Sequence, residues 1–170
     1  MAKGHLADGD LSIWIQPTLG DMFGQVDDYF IEDLTDVLGE IDISVTQVKR
    51  RRHADVVVRR ADLSWKENDN VQATVVRNEE KGTSKVLFNN KRDYFQTRNM
   101  SRYLLTHEFG HVLGLKHPWQ YTPEETTYDD NLTPDDTIMA YPDWDYITGE
   151  RYHPFREMDV TTIHELHGPN

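Results

Sequence analysis

The chain of 170 residues contains no cysteine, which excludes disulfide bonds, thiol catalysis and cysteine-ligated zinc. It has no run of eighteen apolar residues, so no membrane-spanning helix is expected. Its opening decapeptide lacks the apolar stretch of a signal peptide. Positive charge is scarce: 18 Lys and Arg stand against 30 Asp and Glu, for a net charge of −12. A surface of that sign argues against nucleic acid as the principal partner. No internal repeat or low-complexity linker divides the chain, which is long enough to bury one sizeable core.

What is present is a concentration of histidine. Residues 107–117 read HEFGHVLGLKH, the pattern H-E-x-x-H-x-x-G-x-x-H. On a helix advancing about 100° per residue, His107 and His111 lie one turn apart on one face, so both imidazoles reach one ion. Glu108 lies about 100° round from His107, suited to touch a water at the ion rather than the ion itself. Gly114 can adopt φ > 0, end the helix and turn His117 back as a third nitrogen ligand. Three nitrogens with an open fourth position are the arrangement of a catalytic zinc rather than a closed structural one. Leu105, Phe109, Val112 and Leu113 cluster away from the histidines, so one face can be buried while the other lines a cleft.

Elsewhere the pattern is that of a mixed α+β lobe. Strands are expected at Leu11–Gln16, Ile41–Thr46, Asp55–Val58, Val71–Arg77 and Ser84–Phe88, the last two joined through Asn78 to Gly82. Apolar residues at helical spacing from Asp21 to Gly39 give an amphipathic helix with an acidic outer face. A last helix is expected over Glu157–His167, stopped by Gly168, and residues 118–136 read as loop.

Downstream of the histidines, Thr137-Ile138-Met139-Ala140-Tyr141 follows as a second element. Three histidines with such a Met-turn resemble the metzincin metalloproteases. Pro118 after the third histidine, the M-x-Y of Met139 and Tyr141, and the tail residues Asp159, Ile163, Leu166, Gly168 and Asn170 bring the resemblance closest to the serralysins. His167 stands where their closing helix usually has Tyr.

The resemblance implies a zincin-like fold: a twisted mixed sheet of about five strands, two long helices over an active-site cleft, and a small C-terminal lobe ending in a helix. Residues 1–170 would form one metalloprotease domain, with 1–117 as the N-terminal lobe and 118–170 as the C-terminal lobe. Val71–Arg77 would be the antiparallel edge bordering the cleft. The resemblance implies one catalytic Zn2+ on His107, His111 and His117, with Glu108 as general base. Met139 would form a floor beneath the metal without bonding it, and Tyr141 would ligate the resting metal or hydrogen-bond the reacting carbonyl.

The implied activity is endopeptidase cleavage of protein or peptide substrates. Serralysins usually carry C-terminal calcium-binding repeats and a propeptide, neither of which is found here. This leaves the alternative of a structural or binding component of a phage or secretion particle that retains a metzincin lobe, its assembly partners and location unspecified. Glu124, Glu125, Asp129, Asp130, Asp135 and Asp136 lack the alternation of a Ca2+ loop and read as solvated. The basic run Lys49 to Arg52, with Arg59 and Arg60, reads as a solvated strand connection. His5, His53, His153, His164 and His167 have no ligand spacing and are expected at the surface or in packing.

Overall fold

The computed structural model describes residues 9–19, 26–66, 71–90, 98–120, 132–140 and 155–168. Five strands, β1 (Asp10–Ile15), β2 (Ser44–Gln47), β3 (Val56–Ala61), β4 (Ala73–Asn78) and β5 (Thr83–Asn89), form one sheet in the order β2-β1-β3-β5-β4. The described residues include the helices α1 (Val26–Gly39), α2 (Arg98–Val112) and α3 (Glu157–His167). All neighbours are parallel except β4, which runs antiparallel to β5 at the sheet edge, as the metzincin resemblance implies.

The alternation of apolar residues decides which face is buried. Leu11, Ile13 and Ile15 of β1, Val56 and Val58 of β3, and Val86 and Phe88 of β5 turn to one core with Phe30, Leu34 and Leu38 of α1. Leu105, Phe109 and Leu113 close that core from α2, and the Phe30 and Phe109 rings meet edge-on at 4.7 Å. Each fully buried side chain of this kind stabilises the fold by roughly 1.5–3 kcal/mol relative to exposure. Helix α2 is thus held with its apolar stripe inward and its histidine face toward β4.

Two strands differ from expectation. The second begins at Ser44 rather than Ile41, because the chain leaving α1 first makes a turn. Leu38 O accepts from both Ile41 and Ile43 N–H, and Asp42 takes a φ of 60°. Ile43 is buried by that turn, so its alternation with Ile41 and Val45 imitates a longer strand. The third strand runs on past Val58 to Ala61, because β5 continues to offer a parallel partner as far as Asn89. Asp55 lies outside the ladder and accepts the Ser12 N–H (2.9 Å) and hydroxyl (2.5 Å) through Oδ2. The last helix spans the expected residues, and Pro118–Gln120 forms a short 3-10 turn. The expected start of the first helix at Asp21 lies outside the described residues. Among those residues, no helix is long and apolar enough to cross a membrane.

Candidate metal centre

Gly114 adopts a φ of 99°, where a side chain would be strained, and ends the turn that follows α2. Its N–H bonds His111 O at 3.1 Å, and Leu115 N–H bonds Gly110 O at 2.9 Å. The chain then doubles back with Leu115 buried, which brings His117 beside His107 and His111. One nitrogen from each imidazole lies within 4.8 Å of the others.

Each ring is oriented from behind. His107 Nδ1 lies 2.8 Å from Ile138 O, His111 Nδ1 3.0 Å from Leu115 O, and His117 Nδ1 3.1 Å from the Gln120 side-chain oxygen. Carbonyl oxygens only accept, so each Nδ1 carries the proton and each Nε2 presents a lone pair. Trp119 stacks on the His117 ring at 4.5 Å with planes 5° apart.

Burial favours the same neutral form. It pulls His107 down to about 3, with the neighbouring histidines adding to the effect, and His117 down to about 4. His111 is lowered by burial and by Arg77. The donor set fits zinc: His107 Nε2 and His117 Nε2 lie 3.2 Å apart, close to the about 3.3 Å spanned by two tetrahedral Zn–N bonds.

Glu108 points into the same cleft and is buried. Desolvation raises its carboxyl to about 8, opposed by the nearby Lys66 ammonium. The cleft, of about 1010 Å³, runs between α2 and β4. Arg77, on β4, donates to His111 O and ties the rim strand to the histidine helix.

The Met-turn is held from two sides. Met139 is fully buried, and a Cβ added at Gly110 would collide with its sulfur, so only glycine lets the turn sit so close beneath α2. Asp159 of α3 accepts the Thr137 hydroxyl (2.5 Å), Ile138 N–H (2.9 Å) and Arg156 N–H (2.8 Å). Burial pushes the Asp159 carboxyl up, and these three hydrogen bonds pull it back. From α2, the Tyr103 hydroxyl donates to Ala140 O at 2.5 Å.

His107, Glu108, His111, His117 and Met139 therefore come together. Tyr141, and the acidic residues Glu124, Glu125, Asp129 and Asp130, lie outside the described residues. Asp136 Oδ2 instead accepts Thr133 N–H and its hydroxyl, an ordinary turn. Tyr103, Arg77, Lys66 and Gln120 escaped the sequence reading. Only Tyr103 carried a signal, its four-residue spacing before His107 on the same helix face. His164 and His167 pack as expected, Nε2 meeting Val37 O at 2.9 Å and Leu113 O at 2.6 Å respectively.

Residues 60–148, about half of the chain, match the model of the family described as Pregnancy-associated plasma protein-A. A stretch of 77 residues is 38% identical to Serralysin G of Dickeya chrysanthemi, covering 41% of this chain and 16% of that protein. Two structures of myroilysin share the fold. One has a TM-score of 0.57 at 12% identity over 95% of this chain and 93% of that one. The other has a TM-score of 0.53 at 11% identity over 95% and 84%. With a metzincin-like α+β fold and a serralysin-like segment, the chain belongs to the Pregnancy-associated plasma protein-A peptidase family.

Proposed function

We propose that this chain is a zinc-dependent endopeptidase in which Glu108 is the general base. The observation that carries the reading is the convergence of three unprotonated Nε2 atoms beside a buried carboxylate in one cleft. His107, His111 and His117 would hold the ion. When bound, zinc supplies Lewis acidity toward a peptide carbonyl and toward water.

The protein's own groups do the rest. An extended substrate pairs its backbone with the outer edge of β4, which sets the scissile bond across the cleft. Glu108 takes the proton of the attacking water and delivers it to the departing amine. In the metal-free cleft burial raises the Glu108 carboxyl to about 8, and an adjacent cation would lower it again and favour the carboxylate that accepts the proton. Tyr141 donates a hydrogen bond to the developing oxyanion. Met139 supports the site from below without bonding the metal. A purely structural particle component has no use for a buried Glu108 at such a position.

The test is Glu108→Ala, measured for metal content by mass spectrometry and for peptide cleavage with and without chelator. Metal should be retained while turnover falls about 10²–10⁴-fold. Undiminished cleavage by this variant rules out the mechanism. Tyr141→Phe in the same assay should lower turnover while leaving metal content unchanged.

A further inference from the structure

A second concavity, of about 480 Å³, opens where β3 and β5 begin and β4 ends. Val57 lies in its floor, and Arg51, Arg52, Lys81 and Lys85 surround it, with Asn78 at its rim. Among the described residues no carboxylate lines it. These cations come from two distant parts of the chain, the 3-10 turn Arg51–His53 and the β4–β5 hairpin, and only the fold gathers them. Among the described residues none of the four forms an ion pair, although Glu79 and Glu80 share the hairpin with Lys81.

The backbone carrying them is anchored. Ala54 N–H closes the 3-10 turn on Arg51 O, and the Ser12 hydroxyl holds His53 O at 2.9 Å. Asn78 Oδ1 accepts Lys81 N–H at 3.1 Å. Arg52 Nε donates to the His53 ring at 3.1 Å. On a chain of net charge −12, a basic cluster without carboxylate partners among the described residues, on a rigid frame, calls for an anionic ligand.

We propose that this concavity is an exosite for an acidic segment of the peptide substrate, a proposal that rests on the endopeptidase reading. Strand β4 makes the connection: Ala73, Thr74, Val75 and Arg77 rim the cleft, and its last residue, Asn78, lines the concavity. At about 3.3 Å per residue, a peptide paired along this six-residue strand spans roughly 20 Å and leaves it beside Asn78, from where it turns onto the sheet face that carries Val57 and Lys85, opposite α2. The cleft has the same bias, since Lys66, Arg77 and Lys116 line it and Glu108 is its only acid among the described residues. A polyphosphate would meet the same cations but none of the backbone pairing, and its extended charge would face the acidic remainder of the surface.

The test uses zinc-loaded protein and three fluorescent probes: a hexaglutamate peptide, a Ser-Gly peptide of equal length, and a short single-stranded DNA. Hexaglutamate should bind about tenfold or more tightly than the neutral peptide, the gap closing with added salt. Arg51→Glu/Lys85→Glu, and separately the milder Lys81→Gln/Lys85→Gln, should abolish or shrink that preference. For a cleaved peptide bearing a glutamate extension, both variants should raise KM and leave kcat unchanged, with a neutral short peptide cleaved as before. Equal binding by variant and parent, or tighter binding of the DNA than of the peptide, overturns the proposal. Hexaglutamate binding without any cleavage would leave the anion site standing and remove the endopeptidase reading. Cleavage without a charge preference would do the reverse.

Discussion

The cleft beside α2 and the concavity at the β4–β5 hairpin both collect nitrogen bases, and they handle charge in opposite ways. In the cleft, burial keeps the histidines neutral, so His107 is lowered to about 3 even though its hydrogen bond to Ile138 O works the other way. In the concavity, Arg51, Arg52, Lys81 and Lys85 gather at the surface rather than in the core. A low-dielectric environment converts bases into lone-pair donors suited to a metal; a wet one leaves them as cations suited to steering. The same strand, β4, borders both.

The largest effect expected from this contrast is in the pH dependence of stability of the metal-free protein. His107 and His117 titrate below their unfolded value of 6.5, at about 3 and about 4. Stability present above 6.5 is therefore lost as pH falls, on the order of 3 kcal/mol from His107 alone by pH 4. Glu108 has the opposite sign: raised to about 8, it contributes stability below its unfolded value of 4.5 that is lost as pH rises through 8. Thermal melts should show a maximum near pH 6.5. His107→Gln should flatten the acid limb and Glu108→Gln the alkaline one. A flat profile in the parent would mean that the cleft is wet.

Next in size is Gly110→Ala. The new methyl meets the Met139 sulfur, which is fully enclosed and has Leu115 beside it. The Met-turn must shift, at about 1–3 kcal/mol of stability, read as a lower melting temperature together with weaker zinc retention. An unchanged melting curve would show that the turn can move without cost. The smallest effect belongs to the other side of the comparison. Lys81→Gln should change stability by less than about 0.5 kcal/mol in a denaturant titration, since the lysine is exposed and forms no ion pair among the described residues.

Much of the site was legible because it is local. The i, i+4 spacing of His107 and His111 puts them on one helix face, and Gly114 is needed where φ reaches 99°. The closing helix was legible from its stop at Gly168 and from the serralysin-like tail residues Asp159, Ile163 and Leu166. The second strand was misread because Ile41 and Ile43 are apolar for the sake of a buried turn, and alternation does not distinguish that from a ladder. Arg77 was read only as the end of a strand; that it reaches the carbonyl of His111 depends on where the sheet edge meets α2.

The sequence by itself determined the chemistry: which nitrogens could meet one ion, which carboxylate stood beside them, and where the helix had to stop. Helical periodicity and the steric freedom of glycine act over a few residues, and those can be counted along a string. The tertiary structure decided how that chemistry is held and approached. Ile138 O reaches His107 across 31 residues, Tyr103 reaches Ala140 across 37, and Asp159 reaches Thr137 across 22. Arg51 and Lys85 face one concavity only because β3 and β5 pair in register. Such contacts follow from how sheet and helices pack, and no local spacing in the chain encodes them.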